Sequence, residues 1–174
     1  ARQLDEFHDA NALFSEAIRL DDSNLEALVL WGDLFQEKFN DQDAQPNCNE
    51  ALEVNRRYAP ALVGLARIES PERNLSRALD ANSRSVAALA TFGELMIRNG
   101  REEEGLGFLR QALDINPESI PALATLAARA AMNDDMDEFE RLRERVNAFS
   151  PESASFYASV AEFLGNNYRF TEAV

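Results

Sequence analysis

The sequence is short of the side chains that most catalytic and redox sites need. Its 174 residues include one cysteine, Cys48, and one histidine, His8. A single cysteine excludes an intramolecular disulfide and leaves the cellular compartment open. His8 lies in a polar stretch beside Asp9 and is expected on the surface, which leaves zinc motifs and catalytic triads without the histidine they require. We therefore expect a non-catalytic chain that holds no metal and no cofactor.

Long apolar runs and positive charge are also scarce. No run approaches the roughly 20 apolar residues that a membrane-spanning helix needs, so membrane insertion is not expected. Asp and Glu number 31 against 17 Lys and Arg, giving a formal net charge of -14. Such a surface repels phosphate backbones, which disfavours nucleic acid as a partner, and it attracts basic polypeptides. The alternative is that the charge mainly keeps the protein soluble.

Three series of residues recur along the chain with one shared pattern of intervals, 34, 27, 34 and 34. A period of this length is typical of stacked helical repeats that bury their apolar faces against one another. The first series is Ala17, Ala51, Ala78, Ala112 and Val146. The second is Gly32, Ala66, Gly93, Ala127 and Ala161. The third is Leu28, Leu62, Leu89, Leu123 and Tyr157.

The residues within one period resemble the tetratricopeptide repeat. From Leu89 the chain reads Leu-Ala-Thr-Phe-Gly-Glu-Leu-Met, followed by Gly105, Leu109, Ala112 and Pro117. The resemblance implies an all-α, right-handed superhelical α-solenoid of antiparallel helix pairs, each pair made of a helix A and a helix B. It also implies a protein-interaction scaffold whose A helices line a concave groove.

The intervals divide the chain into a single array. It comprises a partial unit at 1–24, repeats at 25–58, 59–85, 86–119 and 120–153, and a partial unit at 154–174. The repeat at 59–85 is seven residues shorter than the others. The distance from the recurring residue of each helix B to the recurring glycine or alanine of the next helix A is nevertheless always 15 residues. We therefore expect a complete, shorter hairpin there. The predicted helices lie at 7–20, 25–38, 44–55, 59–69, 71–82, 86–98, 102–115, 120–132, 135–149 and 153–165, with a further stub from Tyr168.

The groove that the resemblance implies is predicted to bind a basic or bulky apolar protein or peptide. Its C-terminal half is rich in small side chains, which suits a peptide or helix as occupant; the alternative is that these alanines permit tight packing between helices. The predicted groove residues are Asp33, Arg67, Ala90, Thr91, Glu94, Arg98, Ala124, Thr125, Ala128, Ala158 and Glu162.

Four other features have simpler interpretations than ligand binding. Cys48 is predicted to be a small buried side chain of helix B, and Trp31 a core residue of its repeat. The acidic cluster at residues 134–138 lacks the spacing of a calcium loop and fits a helix start. The segment Gly105-Leu106-Gly107 is interpreted as a repeat position and not as a nucleotide loop.

Both ends of the sequence stop inside a repeat, which predicts a piece of a longer protein with uncapped ends that self-associate. Some of the apolar surface of the last helix pair is expected to stay exposed, with fraying of the last helix as the alternative; the residues concerned are Phe156, Val160, Phe163, Leu164, Phe170 and Val174. The last eight residues, 167–174, resemble segments of long bacterial tetratricopeptide proteins, some with a metallopeptidase-like domain. The alternative function is therefore an accessory region of a larger enzyme, which a His-Glu-x-x-His motif elsewhere in the reading frame would support.

Overall fold

The computed structural model describes residues 2–36, 38 and 40–171, and the side chains of 7–36, 38 and 40–165. Across these residues the chain forms ten α-helices and no strand, which confirms the predicted all-α class. The helices are α1 (Arg2–Leu20), α2 (Leu25–Gln36), α3 (Asp41–Val54), α4 (Ala59–Ile68), α5 (Pro71–Ala81), α6 (Val86–Arg98), α7 (Glu102–Ile115), α8 (Ile120–Met132), α9 (Met136–Phe149) and α10 (Ala154–Thr171).

The helices group into two compact units, residues 1–83 and 84–174. In unit 1, α2 pairs with α3 and α4 with α5, α3 and α2 also contact α4, and α1 packs against α2. In unit 2, α6 pairs with α7 and α8 with α9, while α10 and α6 lie against α8. Each pair is a helix A followed by its helix B, so the predicted order of A and B helices is confirmed.

The three recurring series mark the positions at which the helices of a pair meet. All twelve members that belong to the four complete repeats are buried. The helices approach especially closely at Gly93, where a Cβ would lie 2.7 Å from the Leu109 side chain and 3.0 Å from the Gly105 carbonyl oxygen. The repeat in the sequence therefore reflects helix-to-helix contact distances.

The shortened repeat at 59–85 forms the expected hairpin, with α4 packed against α5. The chain reverses at Ser70, which adopts a left-handed conformation with φ 46°. Asn74 Nδ2 then donates a hydrogen bond to the Glu69 carbonyl oxygen at 2.9 Å, across the turn. The buried Asn74 is thus committed to the turn, and the Asn74-Leu75-Ser76 glycosylation sequon is inaccessible in the folded chain.

The C-terminal end of the chain differs from the expectation at two points. The final helix is continuous from Ala154 to Thr171, so no separate stub begins at Tyr168. Phe156, Val160 and Phe163 are buried against α8 and α9, where the alanines of α8 leave room for their side chains, and Leu164 is half-buried beside them. The prediction for the Phe170 side chain and for Val174 lies outside the described residues.

Candidate functional site

The predicted groove residues of unit 1 form an exposed ion pair between two A helices. Asp33 on α2 and Arg67 on α4 occupy the same position in consecutive repeats, 34 residues apart. Arg67 Nη1 lies 3.4 Å from Asp33 Oδ1, and the two side chains are 51% and 38% exposed. An acid and a base are therefore both presented to solvent on the surface predicted to bind a partner.

Gln36 joins the same two helices one turn further along. Its Nε2 donates a hydrogen bond to the Gly64 carbonyl oxygen at 2.9 Å, while its Oε1 is buried and has no hydrogen-bond partner. Leu30, three residues before Asp33 and so on the same side of α2, is a large apolar side chain that remains largely exposed. The A-helix surface of unit 1 thus combines charge, an amide and one apolar side chain; we call Leu30, Asp33, Gln36 and Arg67 the α2–α4 surface.

Cys48 lies below this surface as a buried, unreactive thiol. A Cβ on Gly64 would lie 2.8 Å from its Sγ, and one on Gly32 would lie 3.3 Å away. The pKa of Cys48 is raised to about 11, mainly by burial and to a smaller extent by the nearby Asp33 carboxylate. The thiol is protonated near neutral pH, and the predicted role as a small core side chain is confirmed.

The small-residue groove predicted in unit 2 is not accessible. Ala90, Ala124, Thr125 and Ala128 are all buried, and Ala124 and Ala128 belong to the core around Phe156. The Thr125 hydroxyl is already occupied, because Oγ1 donates to the Pro121 carbonyl oxygen at 3.0 Å. The expectation of an open groove is wrong here: the alanines let neighbouring helices pack closely, as the alternative interpretation had it.

The other predicted residues of unit 2 stay partly or fully accessible. Thr91 is half-buried, and Arg98 Nη1 lies 3.6 Å from Glu94 Oε1, one turn earlier on α6. Ala158 and Glu162 on α10 are exposed. These residues are therefore accessible to solvent, and most of them are polar.

The remaining features have structural roles. His8 is exposed, and Asp135 caps α9 by accepting a hydrogen bond from the Glu138 backbone N–H at 3.1 Å. Trp31 is half-buried; its Nε1 donates to Asn11 Oδ1 at 2.8 Å and its ring stacks on Phe35.

Among the described residues, no three His, Cys, Asp or Glu side chains gather into a metal-ligating group. None of the described helices is both long and apolar enough to cross a bilayer.

Two exposed apolar side chains, one on the first helix and one on the last, were not predicted from the sequence. Leu13 on α1 and Tyr157 on α10 are 71% and 43% exposed. A signal for Tyr157 was present in the sequence, because it replaces the leucine that stands at this position in the four complete repeats. Leu13 directly precedes Phe14, and Phe14 occupies the repeat position that Cys48 occupies in the first complete repeat.

No family model matches the sequence, and no curated protein matches it. Solved structures do resemble it. A thermophilic TPR protein from Thermus thermophilus superimposes with a TM-score of 0.71 at 20% identity, covering 94% of this chain and 93% of that one. PilW, a type IV pilus biogenesis factor, gives 0.67 at 17% identity over 97% and 84% of the two chains. YrrB, described as a TPR protein with an unusual peptide-binding site, gives 0.52 at 18% identity over 91% and 85%. The fold of this chain is therefore that of the tetratricopeptide-repeat proteins.

Proposed function

We propose that this chain is a non-catalytic protein-interaction module that binds a polypeptide on the α2–α4 surface. The observation that carries the proposal is the exposed Asp33–Arg67 ion pair, which lies on consecutive A helices and beside an exposed leucine. An ion pair exposed to this extent contributes at most about 1 kcal/mol to stability. A bound polypeptide can therefore replace this ion pair at little cost to the fold.

The surface suits a polypeptide better than other ligands. Leu30 supplies apolar contact, Asp33 attracts a basic side chain, and Arg67 can donate to a backbone carbonyl oxygen or an acidic side chain. The net charge of -14 disfavours nucleic acid and favours a basic segment. The unusual peptide-binding site described for YrrB, a protein of similar fold, supports the same class of ligand.

Two observations in the described residues support the non-catalytic assignment. The thiol of Cys48 is buried and its pKa is raised to about 11, so it is a poor nucleophile. His8 is exposed, and its ring lies edge-to-face against the ring of Phe7. The accessory role in a larger enzyme stays a prediction that the full reading frame tests.

In unit 2 we propose that the accessible predicted residues form a second, weaker contact patch. Glu94 and Arg98 make an ion pair one turn apart on α6, and Ala158 and Glu162 leave part of the surface of α10 open to solvent. This patch has no exposed large apolar side chain beside the ion pair. We therefore expect the α2–α4 surface to dominate binding.

Selection of peptides from a random displayed library against the 174-residue chain tests the proposal. We expect enriched peptides with basic and apolar side chains, whose binding is lost when Asp33→Arg reverses the charge that attracts them. The matched control is Asp80→Arg, the same change at an exposed position on α5. Failure to enrich any peptide, or equal loss of binding in both variants, would contradict the assignment of this surface.

A further inference from the structure

The three methionines of the chain lie in two different environments. Met96 on α6 is fully buried, whereas Met132 and Met136 are 48% and 52% exposed. The two exposed methionines flank one turn, because α8 ends at Met132 and α9 begins at Met136. Two of the three methionine side chains are therefore open to a reagent in solution.

The exposure of these two side chains is a property of their positions in the repeat. Met132 and Met136 lie 34 residues after Arg98 and Glu102, which hold the same positions in the preceding repeat. Arg98 and Glu102 are exposed although the next helix A, α8, packs on both helices of their pair. A neighbouring repeat therefore leaves these positions uncovered, and in the repeat at 120–153 two thioethers replace the charged groups.

The turn that carries the two methionines is held in place without their side chains. Asp134 adopts a left-handed conformation with φ 56°. The Asp135 backbone N–H donates to the Ala130 carbonyl oxygen at 2.9 Å, and the Asp135 carboxylate accepts from the Glu138 N–H at 3.1 Å. A chemical change at either methionine sulfur therefore leaves the hydrogen bonds of the turn intact.

We propose that Met132 and Met136 are a site of reversible oxidation to methionine sulfoxide by hydrogen peroxide. The thioether sulfur donates an electron pair to one peroxide oxygen, so that an S–O bond forms and the O–O bond breaks. The departing hydroxide takes the proton of the transferred oxygen and leaves as water. Sulfoxide reductases reverse the change. The site is independent of polypeptide binding on the α2–α4 surface, whose residues all lie in unit 1.

Burial protects the other two sulfur atoms of the chain. Peroxide reaches Met96 only when unit 2 opens, because its side chain is fully covered. Cys48 is fully buried too, and its pKa of about 11 keeps the reactive thiolate scarce near neutral pH. Oxidation of the folded chain therefore stops at two sulfoxides. A sulfoxide at Met96 would instead place a polar group in the core and destabilise the fold.

Treatment of the folded 174-residue chain with hydrogen peroxide at neutral pH tests the proposal. Intact mass and peptide mapping by mass spectrometry then follow each sulfur separately. We expect a fast gain of two oxygen atoms, at Met132 and Met136, and oxidation of Met96 that is slower by more than about tenfold. In denaturing urea all three methionines are expected to oxidise at similar rates, since only the fold distinguishes them.

Leucine variants provide the matched controls, because leucine has nearly the same volume as methionine and no oxidisable sulfur. A double variant, Met132→Leu with Met136→Leu, loses the fast gain, whereas Met96→Leu keeps it at two oxygen atoms. Sulfoxide reductase returns the doubly oxidised protein to its original mass, and its far-UV circular dichroism is that of the untreated chain. Fast oxidation of Met96 or Cys48 in the folded chain, sulfoxides that the reductase does not remove, or loss of helix on double oxidation would overturn the proposal.

Discussion

Two glycines on α7 provide a direct test of how the helices of a pair are held together. A Cβ on Gly105 would lie 2.6 Å from the Gly93 carbonyl oxygen and 2.6 Å from Ile97 Cγ1. The Gly93 oxygen belongs to the backbone of α6 and cannot rotate away. To reach the ordinary contact distance of 3.4 Å, α6 and α7 must separate locally by about 0.8 Å.

The expected effect of Gly105→Ala is the difference between two opposing contributions. Forcing a methyl group into a packed contact costs about 1–3 kcal/mol, and replacing glycine by alanine inside a helix gains about 1 kcal/mol. Because the obstructing atom is backbone, the cost lies at the upper end of its range, and we expect a net loss of about 1–2 kcal/mol in the free energy of unfolding.

Gly107→Ala is the matched control, two residues away on the same helix. A Cβ there meets nothing within 4 Å, so the variant keeps the gain in helix propensity and is more stable by about 0.5–1 kcal/mol. Urea denaturation followed by far-UV circular dichroism measures both. Trp31 lies in unit 1, so its fluorescence reports the other compact unit, and agreement of the two probes decides whether a two-state analysis applies. A Gly105→Ala protein as stable as the wild type would refute the close-contact argument.

Three further predictions concern buried or capping side chains. Ala128→Leu lowers the free energy of unfolding by about 1–3 kcal/mol through overpacking, whereas Ala158→Leu changes it by less than about 0.5 kcal/mol at an exposed site; urea denaturation distinguishes them. Because the pKa of Cys48 is raised from 9.0 to about 11 in the folded state, its contribution to stability is complete below pH 9.0 and falls as the pH rises towards 11, a decline that Cys48→Ala removes. Asp135→Ala loses the cap on α9 and costs about 1 kcal/mol, measured by thermal denaturation.

The sequence predicted the helix pairs well because their contact positions admit few residue types. Helices α6, α7 and α8 have the predicted bounds, and their recurring residues are buried as expected. A position where a Cβ would approach a neighbouring backbone within 3 Å selects glycine, whatever else the sequence does. This restriction on residue type can be recognised in the sequence alone.

The groove could not be predicted in the same way. The repeat register assigns Ala124 and Ala128 to one side of α8, but it does not say how near the next helix comes. The distance is set by the partner: Phe156, Val160 and Phe163 on α10 form an apolar stripe that must be buried, and alanines on α8 leave the space for it. The apolar stripe of α10 and the alanines of α8 predict close packing only when they are considered together.

The shortened repeat shows which part of the architecture is constrained. Helices α4 and α5 have 10 and 11 residues, against 13 and 14 in α6 and α7. Each helix is therefore three residues shorter, close to one turn, and the connection between them is one residue shorter, which accounts for all seven missing residues. Because both helices lose a turn at the end where they join, the hairpin closes one turn earlier while Ala66 and Ala78 stay buried in register. The step from the recurring residue of helix B to that of the next helix A keeps its 15 residues throughout, whereas the length of the hairpin varies.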